Sequence, residues 1–199
     1  MKILFLSSNE ISDDLIYWLK NTAKEEVVVY SKPLNIEFLK KIKPNFIISY
    51  NYRFIIKQEI INYMKNNIIN LHISLLPWNK GADPNVWSFL EDTPKGVTIH
   101  IIDEGIDTGP ILVQKEILID ENTETLKSSY EKLHKEIQEL FKRNWNDIKN
   151  GKIKPESQNL KGSVHYVKDF KKIEHLTSDK GWDIPVKEFK NRYKKLIGV

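Results

Sequence analysis

The chain has 199 residues, 40% of them hydrophobic and 29% charged, with a net charge of +4 and no cysteine. A chain of this size buries roughly 70% of its unfolded surface, so one domain with a small appendage needs no disulfide or metal staple. The composition excludes thiolate metal sites, cysteine nucleophiles and any run near the ~20 apolar residues of a membrane span, and fits a reducing cytoplasm.

The diffuse positive charge suits a small anionic ligand rather than nucleic acid, because no stripe of Arg and Lys with interleaved aromatics occurs. The opening KILFLSS (Lys2–Ser8) is too short for a signal peptide and predicts a strand buried on both faces. Ser12 and Asp13 are placed to cap a helix through Leu19, and EVVVYS (Glu26–Ser31) is a second, β-branched strand. An amphipathic turn over Ile36–Ile42 stops at Pro44, and NFIISYN (Asn45–Asn51) gives a third strand. Gln58–Lys65 predicts a helix and NIINLHI (Asn67–Ile73) a fourth strand. Strands alternating with short helices imply βαβ units and a parallel sheet.

The pattern changes after a helix around Val86–Leu90. GVTIHIID (Gly96–Asp103) and ILVQKEILI (Ile111–Ile119) are strands joined by a short Gly-containing loop, which predicts an antiparallel pair near 96–119. Leu126, Tyr130, Leu133, Ile137, Leu140 and Phe141 fall at helical spacing and define one long helix. The fold class is therefore α/β, a Rossmann-like, mostly parallel sheet flanked by helices. The expected organisation is a catalytic domain over 1–150 and a short C-terminal extension over 151–199, ending in a basic amphipathic helix.

Ligands of open α/β sheets bind beyond the carboxyl ends of the strands. There the fourth strand carries Asn70 and His72, two residues apart and so on one face, just before Pro77. Asp103 and Asp107 follow in the loop DEGIDTG, where Gly105 and Gly109 permit tight turns. An Asn amide can donate to an oxyanion, a His can accept or relay a proton, and an Asp can orient that His. The set suits acyl transfer to a nucleophile belonging to the substrate, since neither a G-x-S-x-G elbow nor a cysteine is present. A lone His on a strand is more often a core residue. By that rule His100, His134, His165 and His175 are structural or exposed, and none has metal-ligand spacing. Trp78 and Trp87 are expected to be packing residues rather than stacking platforms, the balance being even only for whichever lies in the crevice.

NLHISLLP…G followed by DEGIDTGPILVQ resembles the folate-dependent formyltransferases over about Lys2 to Ile119. The resemblance implies a formyl donor, 10-formyltetrahydrofolate, no metal, and a catalytic triad of Asn70, His72 and Asp107. It implies folate contacts at Tyr52, Arg53, Phe54 and Ile55 and at Asp103 and Gly105, with Asp103 a loop residue rather than the catalyst. Purine-pathway phosphoribosylglycinamide formyltransferases have a Gly-rich loop after the first strand, where this chain reads LSSNEISDD. Methionyl-tRNA formyltransferases carry an Arg-containing loop after SLLP and a C-terminal tRNA-binding domain for which this chain is too short.

The form KGADPN-x-W with PKGVTIHIIDEG is most similar to nucleotide-sugar N-formyltransferases of bacterial surface-glycan pathways. That implies an acceptor amine on a dTDP-, UDP- or GDP-linked amino-dideoxysugar, contacted by Asn9, Lys80, Gly81, Ala82, Asp83 and Asn85. The implied setting is cytoplasmic, with small-molecule substrates, no nucleic acid and no membrane; a homodimer is compatible with it. The segment GSVHYVKDF (Gly162–Phe170) resembles one that follows the core in this group and is a candidate to close over the sugar. The alternatives are a phosphoribosylglycinamide-type activity, hydrolysis of the formyl group, or a folate-binding domain without catalysis.

Overall fold

The apolar run after Met1 forms β1 (Lys2–Leu6), and EVVVY forms β2 (Glu26–Tyr30), in a computed structural model that describes residues 1–159 and 161–198. Between these strands α1 (Asp13–Asn21) turns Leu15 and Leu19 inward. Ser12 does not cap it as the sequence predicts. Its hydroxyl is held at the end of β1 by Ser7 Oγ at 2.7 Å and Asn9 O at 2.8 Å. In α2 (Ile36–Ile42) the cap is made by Asn35 Oδ1, which accepts from the Phe38 N–H at 2.8 Å, and left-handed Lys43 ends the helix ahead of Pro44. β3 (Phe46–Tyr50), α3 (Gln58–Met64) and β4 (Ile68–His72) follow. β1 pairs in parallel with β2 and β3, and β3 with β4. β6 (Gly96–Ile101) and β7 (Ile111–Glu116) add the antiparallel pair, giving a six-stranded sheet in the order β2-β1-β3-β4-β6-β7.

The described chain divides into two compact units of interleaved segments. The first comprises Met1–His72, Ile99–Val113 and Leu140–Gln158. Leu4, Leu6, Leu39, Ile47, Ile60 and Ile68 pack together on one face of its sheet. Phe46 meets Trp145, from the end of α5 (Leu126–Lys149), edge-on at 5.4 Å; Trp145 stacks on Phe141, which meets Trp18. All five residues of β3 are buried, in keeping with a sequence in which Ser49 alone breaks a run of large apolar and aromatic side chains. Glu25, ahead of β2, is buried and accepts from Lys149 Nζ at 2.7 Å, Trp145 Nε1 at 3.1 Å and the Met1 ammonium at 2.5 Å. Burial alone would raise its pKa, but those three donors together hold it below the usual value.

The second unit comprises Ile73–Thr98, Gln114–Glu139 and Asn159–Val199. It contains β5 (Lys80–Gly81), α4 (Pro84–Leu90), β8 (Val164–His165), α6 (Val167–Lys171) and α7 (Val186–Ile197). Val86, Phe89, Leu126, Ile184, Val186 and Phe189 form its core. Beside them Asn85 Nδ2 donates to Leu126 O at 3.0 Å and Ser129 Oγ at 3.1 Å. No helix among the described residues is long and apolar enough to cross a membrane.

Candidate active site

The site in the first unit starts from the register of β4. Ser49 of β3 pairs with Asn70 and Tyr50 with Leu71, so Asn70 and His72 leave the sheet on the same face at the carboxyl end of the parallel strands. Both side chains turn toward Asp107. Asn70 Nδ2 donates to Asp107 Oδ1 at 3.1 Å, and His72 Nδ1 lies 3.5 Å from Asp107 Oδ2. An ionised carboxylate only accepts, so the His72 nitrogen facing it carries the hydrogen. Nε2 is then the atom that can exchange a proton with a ligand. His72 is buried and the Asp107 side chain is only 14% exposed, so these charges act in a poorly screened setting.

A further histidine belongs to this group. His100, on β6, puts Nε2 3.3 Å from Asp107 Oδ1 and 3.4 Å from Asn70 Nδ2, and its Nδ1 lies 2.9 Å from Ile101 O. A carbonyl only accepts, so Nδ1 carries a hydrogen. When Nε2 is also protonated it donates to Asp107; when neutral it accepts from Asn70. The sequence reads His100 as structural or exposed; it is buried, and its place beside Asp107 and Asn70 is what that reading did not include. One signal was available, since Thr98 and His100 repeat on β6 the period-two polar pattern of Asn70 and His72.

The loop Asp103–Gly109 is built to present Asp107. Asp103 Oδ1 accepts from Gly105 N at 3.1 Å and Thr108 Oγ1 at 2.6 Å, so this carboxylate folds the loop. Gly109 is compressed against the strand, where a Cβ would fall 1.8 Å from Ile101 O. Asp107 itself is left-handed, φ 51°, a region Asp tolerates better than most residues. Gln158 donates through Nε2 to Asp107 O at 2.9 Å and to Gly109 O at 2.8 Å.

The other residues singled out in the sequence are placed as follows. Asn9 follows β1 and its Oδ1 accepts from Ile11 N at 3.0 Å. The Tyr52 hydroxyl donates to Lys32 O at 2.6 Å and accepts from Leu34 N at 2.9 Å, and its ring meets Phe54 edge-on at 5.4 Å. Burial pushes the Tyr52 phenol pKa up. Arg53 and Ile55 are exposed. These residues, the triad, Asp103 and Gly105 all belong to the first unit.

Lys80 to Asn85 belong to the second unit. There Lys80 N donates to Ser163 O at 3.0 Å and Ala82 N to His165 O at 2.9 Å, lacing Lys80–Gly81 to Val164–His165 as a short parallel ladder. Lys80 is buried, with Nζ 3.4 Å from Lys161 O. Asp83 is left-handed at the start of α4, and burial, followed by the charge of Glu174, raises its pKa. Trp87 is buried and stacks on His165 at 4.0 Å and 7°, and His165 Nε2 lies 2.8 Å from Glu91 Oε1.

The carboxyl ends of the parallel strands thus bring an Asn and a His against a loop Asp, a set suited to acyl transfer. The formyl transferase family model matches residues 19–144, and the chain belongs to that family. The methionyl-tRNA formyltransferase of Thermodesulfovibrio yellowstonii is 42% identical over 140 residues, 69% of this chain and 44% of that protein. The chain spans about half the length of the curated relatives it matches. Among solved structures, the formyltransferase PseJ from Anoxybacillus kamchatkensis, in complex with UDP-4,6-dideoxy-4-formamido-L-AltNAc and tetrahydrofolate, is similar with a TM-score of 0.85 and 46% identity. That match covers 95% of this chain and 97% of PseJ. WlaRD, a sugar 3N-formyl transferase in the presence of dTDP and 5-N-formyl-THF, matches with a TM-score of 0.68 at 28% identity, over 85% of this chain and 70% of that one.

Proposed function

We propose that this chain moves a formyl group from 10-formyltetrahydrofolate to the amine of a nucleotide-linked amino-dideoxysugar, in a cytoplasmic step of surface-glycan synthesis. The observation that carries the chemistry is the convergence of Asn70, His72 and His100 on the carboxylate of Asp107. The neutral amine attacks the formyl carbon, and a tetrahedral oxyanion forms. The bond from that carbon to the folate N10 then breaks, and the amine proton ends on N10. His72 Nε2 faces the reacting group, with its Nδ1–H held by Asp107. One amide hydrogen of Asn70 is taken by Asp107; the other meets the oxyanion when His100 donates rather than accepts. Removing one such donor lowers kcat by about 10²- to 10³-fold.

The sugar acceptor is supported by the likeness to PseJ over nearly the whole of both chains and by the KGADPN segment (Lys80, Gly81, Ala82, Asp83, Asn85), with Asn9 a further candidate contact. A second reading, formylation of an aminoacyl-tRNA, is favoured by the 42% identity to a methionyl-tRNA formyltransferase. The test follows tetrahydrofolate release from 10-formyltetrahydrofolate with dTDP-, UDP- and GDP-linked amino-dideoxysugars, methionyl-tRNA, phosphoribosylglycinamide and water. The expected result is turnover with one nucleotide sugar that is lost in Asn70→Ala and His72→Ala. Turnover with methionyl-tRNA alone selects the second reading, and release without an amine makes the protein a hydrolase.

A further inference from the structure

We infer that Gln158 is a positioning residue for Asp107, an inference that rests on the formyl-transfer reading for its kinetic consequence. Gln158 lies far along the chain from the DEGIDTG loop, in a polar stretch with no motif, yet both hydrogens of its side-chain amide are used there. One goes to Asp107 O at 2.9 Å and the other to Gly109 O at 2.8 Å. Two residues earlier Glu156 is bridged to Ile111 in both directions, Ile111 N to Glu156 O at 2.7 Å and Glu156 N to Ile111 O at 2.8 Å. The strand leaving the loop is therefore paired to the segment that delivers Gln158.

Asp107 O belongs to the peptide that leaves Asp107 and Gly109 O to the peptide that enters Pro110, so holding both pins the loop on either side of the Thr108–Gly109 link. Asp107 is left-handed at φ 51°, and its Cα–Cβ direction depends on the peptide that follows it, whose carbonyl Gln158 holds. Asp103 braces the loop from within, through Gly105 N and Thr108 Oγ1, but reaches neither carbonyl. The amide orientation is dictated, because the flipped form would set Oε1 against two acceptors. Gln158 Oε1 is buried and has no hydrogen-bond partner among the described residues. An unpaired buried carbonyl is unfavourable, so the donor end accounts for the residue. It touches no reacting atom; what it sets is where the carboxylate stands between His72 and His100.

The test uses the full chain with Gln158→Leu and Gln158→Glu; Gln158→Met, unbranched and similar in length, replaces the first if it does not fold. Misplacing a catalytic group by about 1 Å costs about 10²-fold. Each variant is therefore expected to lower kcat about 10- to 100-fold while both KM values stay within about threefold. Combined with Asp107→Asn, each is expected to lose nothing further, since the two substitutions disable one device. Free of the reaction, the His72 ring titration followed by NMR in Gln158→Leu should move in the same direction as in Asp107→Asn. Unchanged kcat, independent effects in the double variant, or an unmoved His72 titration would each overturn the role. If the wild-type protein transfers formyl to no acceptor, the functional reading fails, and the His72 titration alone decides whether Gln158 positions Asp107.

Discussion

At the residue scale, the site is a carboxylate ringed by one amide and two imidazoles rather than a linear triad. Asp107 takes Asn70 and His100 on one oxygen and His72 on the other. This makes His100 a positioning residue with a distinctive expectation. His100→Leu removes the imidazole beside Asp107 Oδ1 and Asn70 Nδ2 and the partner of Ile101 O, and should lower kcat for formyl transfer about 10- to 100-fold. His100→Gln, which can still donate, should recover part of that loss in the same assay. Asn70 and His72 were legible because a strand alternates with period two, so two polar residues at that spacing on an apolar run declare a shared face. His100 was not, because a single histidine between Ile99 and Ile101 is what a core strand also carries. Only the loop that returns Asp107 to it gives it a role. Gln158 had no local signal at all, since its partners are two backbone carbonyls.

At the element scale, the loop between β6 and β7 and the helix α5 each carry a prediction. Gly109 sits where a methyl group would fall 1.8 Å from the Ile101 carbonyl, a backbone atom that cannot swing aside. Gly109→Ala should cost about 1–3 kcal/mol of stability by urea unfolding, and activity should fall further than stability because Asp107 moves with the loop. On α5, His134 is 1% exposed, and burial lowers its pKa from 6.5 to about 3. Between those pH values the unfolded chain binds a proton that the native chain refuses, so stability falls as pH drops from 6.5 toward 3 and is unaffected above 6.5. Replacing His134 with Met should flatten that acid limb in thermal melts taken from pH 7 to pH 4. The helix itself was plain in the sequence, because the i, i+3, i+4 spacing from Leu126 to Phe141 is a helical stripe. The ladder of Lys80–Gly81 with Val164–His165 was not, since two-residue strands show no periodicity.

At the scale of the whole molecule, the order of strands and helices was readable and the division into units was not. A boundary at residue 150 follows from composition, which turns polar after Gly151. Compactness instead groups segments that sequence separates, and no pattern along a single chain reports that grouping. Glu25 shows the consequence within the first unit, where one buried carboxylate binds Trp145 and Lys149, 120 and 124 residues further along the sequence. Glu25→Gln keeps the shape but leaves the Lys149 and Met1 ammonium groups without their counter-charge. It should cost about 1–3 kcal/mol in urea unfolding at pH 7. Because the folded pKa of Glu25 is lowered, its contribution is present above the unfolded value of 4.5 and fades as pH falls through the folded one. The difference between wild type and Glu25→Gln should therefore shrink in acid.

The interleaving of the two units also orders events in time. The first unit takes its segments from Met1–His72, Ile99–Val113 and Leu140–Gln158. During translation the sheet strands emerge early, but the helix end bearing Trp145 and the amide of Gln158 follow only after much of the second unit has been made. A nascent chain stalled on the ribosome before Gln158 emerges would hold Asn70, His72 and Asp107 without the clamp on the Asp107 loop. The Asp107 loop thus gains its clamp only once the growing polypeptide has passed residue 158.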